Sequence, residues 1–159
     1  MTNGGFDSSI TGWAAYDTDI TVSRVSLDSS GCASSGSLMV TWQGAVGAWS
    51  AGSGPCIPVS TSTTYNLGGW IYIPSGHNSG KARLTWGWYD ASCQTITGSN
   101  WAEATVTYDV WQYVHLESIT PPAGTGTMSM GAWASKAADG GPGAAYFDSV
   151  YITPVPGHF

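Results

Sequence analysis

The chain has 159 residues, four Lys+Arg against ten Asp+Glu, a formal net charge of −6, and nine Trp. So few cations disfavour nucleic acid, whose binding rests on neutralising phosphates, and equally disfavour anionic membrane surfaces. No apolar run approaches the roughly 18–20 residues of a spanning helix. Charged residues make up 9% of the chain, where soluble domains usually carry about 25%.

Short alternating runs separated by Gly, Ser, Asn and Pro fill the chain, and no segment holds a 3.6-residue apolar period. That pattern predicts an all-β sandwich or barrel, in a single domain over residues 1–159. Met1 is followed at once by Thr2-Asn3-Gly4-Gly5-Phe6, with no basic and apolar leader. The expectation is a module cut from a longer secreted protein, with Met1 added.

Residues 20–27 read as an early strand. Ile20 and Val22 share one face, and past Arg24 the apolar parity moves to Val25 and Leu27, which suggests a bulge. Residues 37–42 place Leu38, Val40 and Trp42 on one face. Trp49 lies in a glycine-rich stretch, 44–50, read as a loop before a short strand at 57–59. Residues 64–73 place Tyr65, Leu67, Gly69, Ile71 and Ile73 on one face, with Asn66, Gly68, Trp70 and Tyr72 opposite. Residues 81–89 place Ala82, Leu84, Trp86 and Trp88 inward and Arg83, Thr85, Gly87 and Tyr89 outward. Shorter runs follow at 105–108 and 111–119, the latter with Val114 and Leu116 inward and Tyr113, His115 and Glu117 outward. Residues 128–135 put Met128, Met130, Ala132 and Ala134 inward and Trp133 outward, and 146–153 closes the chain. Segments 74–80 and 138–143 are turn-rich connections.

The cysteines are Cys32, Cys56 and Cys93. Two can pair. Cys56 precedes a strand and Cys93 follows one, so Cys56–Cys93 is the first choice; Cys32 competes, and three reduced thiols is the other reading. No spacing of Cys and His suggests zinc.

Nine Trp are more than a core of this size hides. Trp13, Trp42 and Trp111 read as core. Trp49 has little local core to fill, Trp133 faces outward by parity, and Trp101 follows Gly98-Ser99-Asn100. An exposed flat aromatic surface needs a partner, and the pyranose face of a sugar suits one without charge. Trp70 and Tyr72 share an outward face and join the candidates. Arg83, Tyr89, Gln94, Asn100, His115 and Glu117 are polar groups that would orient sugar hydroxyls. A solvated strand face accounts equally well for His115 and Glu117, two residues apart.

Several short motifs carry a resemblance: Asn3-Gly4-Gly5-Phe6-Asp7 with Thr11-Gly12-Trp13, then Ser35-Gly36-Ser37-Leu38, Thr64-Tyr65-Asn66-Leu67, Pro122-Ala123-Gly124-Thr125 and Phe147-Asp148-Ser149-Val150. In that order the chain resembles the carbohydrate-binding modules of families four, nine and twenty-two. These are jelly-roll β-sandwiches of two antiparallel sheets attached to polysaccharide-degrading enzymes. The resemblance implies a groove on one sheet with Trp49 and Trp133 at stacking positions. It also implies a structural Ca2+ held by Asp7, Asp148 and carbonyls near Gly5 and Ser35, a donor set of the hard-oxygen kind calcium takes. Asp7 stands where the family more often has Glu.

The expected role is non-catalytic: a secreted, monomeric module holds a β-linked polysaccharide of xylan or β-glucan type for a tethered catalytic domain. Two alternatives stay open. One is a polysaccharide hydrolase or lyase, whose acid and base would come from Glu103, Glu117, Asp90 or Asp109. The other is a structural or adhesive domain of a surface protein.

Overall fold

A computed structural model describes residues 4–156; Asn3 of the first motif and Met1 lie outside the described residues. Among the described residues eleven strands alternate with turns: β1 (Ala14–Ala15), β2 (Ile20–Val25), β3 (Ser37–Trp42), β4 (Trp49–Ser53), β5 (Ile57–Pro58), β6 (Tyr65–Tyr72), β7 (Ser79–Tyr89), β8 (Ile96–Glu103), β9 (Trp111–Ile119), β10 (Thr127–Lys136) and β11 (Gly143–Pro154). The first sheet runs β1-β4-β10-β7-β8, with β5 also on β10, and the second runs β2-β3-β11-β6-β9. All these pairings are antiparallel. The fold is a jelly-roll β-sandwich.

Period-2 alternation decides what fills the space between the sheets. From β7, Leu84, Trp86 and Trp88 point inward and are fully buried; Met128 and Met130 of β10 lie beside them. The second sheet contributes Leu38, Val40, Leu67, Ile71 and Phe147. Trp13 and Trp42 belong to the same core. Trp88 satisfies its buried indole N–H by donating to Asn100 Oδ1 at 2.7 Å. Asn100, taken from sequence as a groove residue, therefore serves the core.

Four readings of the sequence change. Segment 105–108 is not a strand: the chain leaves the sheet after β8, and only Tyr108 makes an isolated parallel bridge, to Ile73. The missed strands are β1, of two residues, and β4 and β8, whose sequences, WSAGS and ITGSNWAE, lack apolar alternation. No bulge interrupts β2, which pairs β3 in unbroken register from Ile20↔Trp42 to Val25↔Ser37; the parity change marks the strand's end. Trp111 is half-buried, and its ring meets Tyr72, 5.4 Å between centroids, on the outer side of the second sheet.

Cys56 and Cys93 form a disulfide across a sequence separation of 37, and Cys32 is free and exposed. The bridge ties the segment entering β5 to the turn after β7, both of which flank β10. By loop-closure entropy, cross-linking a loop of this length stabilises by about 3–4 kcal/mol. A Cys56→Ala/Cys93→Ala variant should lose about that much in urea unfolding, while non-reducing peptide mapping of the native protein recovers one Cys56–Cys93 peptide and a labelled Cys32.

Candidate functional site

The outward side of the first sheet carries a dense group of rings. Trp133 comes from β10, its cross-strand partner Arg83 from β7, and Trp101 from β8, opposite Thr85. Trp49 opens β4, opposite Ser135; it is a strand residue, not a loop residue. The four side chains converge. The Arg83 guanidinium carbon lies 4.5 Å from the Trp49 ring centroid, 5.3 Å from that of Trp133 and 6.0 Å from that of Trp101. Trp101 is 56% exposed. Tyr16, 71% exposed, adds a fifth group, its ring 6.2 Å from that of Trp133.

Trp133 and Tyr89 lie low against this face because glycines leave room. A Cβ on Gly131 would come within 2.4 Å of Trp133 Nε1, and one on Gly87 within 2.8 Å of Tyr89 Cε2. Trp133 Nε1 also donates to Thr85 Oγ1 at 2.8 Å, which fixes the ring's rotation about the strand.

Two depressions follow one another along β7. One, of about 260 Å³, is lined by Tyr16, Trp101, Trp133, Tyr89 and Arg83, with hydroxyls from Ser53, Thr85, Ser99 and Ser129. The other holds Trp49, Lys81 and Tyr108. Arg83 links them, stacked on Trp49 while lining the first. From Lys81 to Tyr89 the strand runs about 25 Å at the usual rise per residue. Together they present aromatic and hydroxyl-bearing side chains in a trough on the outer side of β7.

Trp70, Tyr72, His115 and Glu117 do not join it. They lie on β6 and β9, on the outer side of the second sheet. There the rings pack on one another. Trp70 is 5.3 Å from Tyr113, Tyr72 is 5.6 Å from Tyr146, and Tyr113 stacks on His115 at 5.1 Å. Glu117 Oε1 approaches His115 Nε2 to 3.7 Å. Burial, then the nearby Asp109 carboxylate, pushes the Tyr72 hydroxyl up from its ordinary range. Parity put these residues outward correctly, but parity within a strand is silent about which sheet the strand joins. Gln94 lies in the turn between β7 and β8, its backbone N–H donating to Asp90. Tyr16, Ser53, Ser99 and Ser129 were not singled out from sequence; only Thr85 carried a signal, sharing its face with Arg83 and Tyr89.

The carboxylates considered for acid–base chemistry are dispersed. Glu103 faces the first sheet's outer side, in an ion pair with Lys81 at 3.2 Å, and Glu117 is on the second sheet. Asp90 accepts from Ser92 and from the backbone of Gln94, and these bonds hold its carboxyl well below the usual range. Asp109 accepts from Ser75 and Tyr72, and the Ser75 hydroxyl is the main cause of its lowered pKa.

Several of the oxygens at the expected calcium position have partners within the protein. Arg24 Nε donates to the Phe6 carbonyl at 2.8 Å, and its terminal nitrogen donates to the carbonyls of Asp7 and of Ser35, the latter at 3.0 Å. Gly36 admits it: a Cβ there would stand 2.9 Å from the guanidinium carbon. Asp7 Oδ1 accepts from Ser35 Oγ at 2.7 Å. Asp148, almost fully buried, accepts from the backbone and hydroxyl of Ser29 at 3.0 and 2.6 Å and from Ser149. A guanidinium already bonded to Ser35's carbonyl would repel a divalent cation in the same place. The residues present therefore do not fit the calcium set of Gly5, Asp7, Ser35 and Asp148. Melting midpoints in excess calcium and in chelator should coincide. Arg24→Met, which strands three carbonyls, should lower stability by about 2–3 kcal/mol by urea unfolding, with the m-value unchanged.

Comparisons with known proteins bear on the fold and the family. The model of a carbohydrate binding domain family, of the CBM 4/9 type, matches residues 1–130. No curated protein matches the chain. Among solved structures, the enzymatically active domain of tailspike protein 4 of bacteriophage CBA120 superposes with a TM-score of 0.74 at 16% identity, over 98% of this chain and 21% of that one. The CBM22-2 xylan-binding domain of Xyn10C from Paenibacillus barcinonensis gives 0.63 at 16%, over 94% of this chain and 96% of that one. The CBM22-1-GH10 modules of xylanase Xyn10B from Clostridium thermocellum, complexed with xylohexaose, give 0.68 at 14%, over 94% and 27%. The chain thus spans about a fifth of the tailspike structure and about the whole of the isolated Xyn10C module. At these identities the structures speak for the fold; the family match, covering most of the sequence, places this chain in the carbohydrate binding domain family.

Proposed function

We infer that the chain lays a β-linked polysaccharide, of xylan or β-glucan type, along the outer side of the β1-β4-β10-β7-β8 sheet. In this reading it is a secreted, monomeric, non-catalytic module that holds the substrate for a tethered catalytic domain and raises that domain's effective concentration on it. The observation that carries the reading is the convergence of Trp49, Trp101 and Trp133 around Arg83 beside a trough lined with hydroxyls. Indole faces cover the apolar faces of pyranoses, and hydroxyls orient the rest of the ring. Xylan enters from the xylan-binding domains that share the fold.

Magnitudes set the expected affinity. Each stacked ring contributes about 1–3 kcal/mol, by analogy with aromatic stacking of nucleobases. Several kcal/mol of association cost stands against this. The surplus corresponds to Kd of roughly 10 μM to 1 mM. Calorimetric titration with a xylo- or cello-hexasaccharide should find a value in that range. Trp49→Ala and Trp133→Ala should each weaken binding about tenfold, a loss of about 1.4 kcal/mol, and Trp101→Ala should weaken it as well. Melting points should hardly move, because none of these rings belongs to the buried core. Binding of a neutral glycan should vary little with salt. Product analysis on the same samples checks for hydrolysis or lyase activity. Full affinity in all three variants would place the sugar elsewhere, and new reducing or unsaturated ends would make the chain an enzyme.

A further inference from the structure

We propose that Arg83 is a carboxylate receptor, and that the trough selects polysaccharides bearing uronic acid units over their neutral counterparts. This rests on the polysaccharide-binding reading above and refines it.

The argument begins with how the protein uses its four cationic side chains. Arg24 donates to the carbonyls of Phe6, Asp7 and Ser35. Lys81 pairs with Glu103 at 3.2 Å. Lys136 reaches the Gln43 carbonyl at 3.5 Å and Asp139 at 3.9 Å. Arg83 alone has neither a hydrogen bond nor an ion pair from its guanidinium among the described residues, and its Nε is buried with no partner. Its cross-strand neighbour on β8 is Glu103, a carboxylate well placed to neutralise it, yet Glu103 is taken by Lys81.

Aromatic faces surround the guanidinium instead. Stacking on Trp49 and flanking by Trp133 and Trp101 stabilise a cation through the ring quadrupoles. They position it among the rings, but they accept none of its N–H bonds. A partly desolvated donor fork without acceptors is an unfavourable end state in a protein that chose its other charges so sparingly. A planar fork held rigid matches a carboxylate with two parallel bonds.

The surroundings limit what that acceptor can be. Arg83 is the only charged residue lining the depression that holds Trp101 and Trp133; beside it stand aromatic, small and hydroxyl-bearing residues together with Ile96 and Met130. The ligand that satisfies both halves is a pyranose chain whose sugar faces stack on the indoles while a C6 carboxylate, or a uronic acid side branch, meets the guanidinium. Inorganic anions would satisfy the fork and leave the rings uncovered. A neutral glycan would cover the rings and offer the fork only hydroxyls.

The test uses the intact chain and three acidic polymers: glucuronoxylan, polygalacturonate and alginate. Each is paired with the same polymer after its carboxylates have been reduced to alcohols. Wild type should bind at least one acidic polymer tenfold or more tighter than its reduced partner, and raising the salt should shrink that ratio. Arg83→Gln should bring the ratio close to one, and Arg83→Lys, which keeps the charge but not the fork, should restore part of it. Thermal melts of both variants check that the sheet is intact. A wild-type ratio near one for all three pairs overturns the proposal. So does a ratio that Arg83→Gln leaves unchanged, which would make Arg83 a spacer between tryptophans. In either case binding to the reduced, neutral polymers would leave the broader reading standing, whereas no binding to any of these polymers or to a β-glucan run beside them would remove both.

Discussion

The outer face of the first sheet depends on the register of β10 between β4 and β7. That register sets Trp133 against Ala51 on one side and Arg83 on the other. A slip of one residue would carry Trp133 into the core and turn Ala132 or Ala134 outward, because side-chain direction has a period of two. The inward side resists such a slip: Met128 and Met130 lie opposite Trp88 and Trp86, all fully buried. The large inward residues therefore set the register, and the register places the outward tryptophans within reach of one guanidinium.

Charge economy is the second organising feature. With four Lys+Arg in 159 residues, each position carries information. Arg24 works where calcium was expected, joining the segment after the N-terminal turn to the loop before β3 through backbone carbonyls. A monovalent guanidinium with directed N–H groups suits carbonyl acceptors, and the two nearby carboxylates find their partners among serine hydroxyls and backbone amides instead. These hydrogen bonds connect the N-terminal segment to the loop before β3, and Asp148 to Ser29. Arg83 is treated in the opposite way: it is held by rings and left with free donors, on the surface where a ligand would lie.

The two outer faces also differ in kind, although both are aromatic. On the second sheet, the rings of Trp70, Tyr72, Tyr113 and Tyr146 contact one another, and hydrogen bonds to Asp109 and between Tyr113 and Tyr151 use their hydroxyls. Burial and the Tyr113 hydroxyl push the Tyr151 pKa up to about 12. Those groups are spent on one another. On the first sheet the rings converge on a cation and border open space. Composition counts both sets alike, and only the contacts separate a face that packs on itself from one that presents flat surfaces outward.

Much of the fold was legible in the sequence because alternation is local. Strands β3, β6, β7, β9 and β10 follow from it, as do the inward Trp86 and Trp88 and the outward Arg83 and Trp133. Where alternation failed, the reading failed: β4 and β8 carry Gly, Ser and Asn and are held by pairing with neighbours, which no local pattern records. The sequence by itself determined the all-β class, the faces of the well-patterned strands and the scarcity of charge. The tertiary structure alone decided which strands share a sheet. That is why Trp49, Trp101 and Trp133 meet at Arg83 while Trp70, Tyr72, His115 and Glu117 lie on the far side: side-chain direction is fixed by each residue's place in its own strand, whereas strand neighbourhood is fixed by hydrogen bonds between segments far apart in the chain.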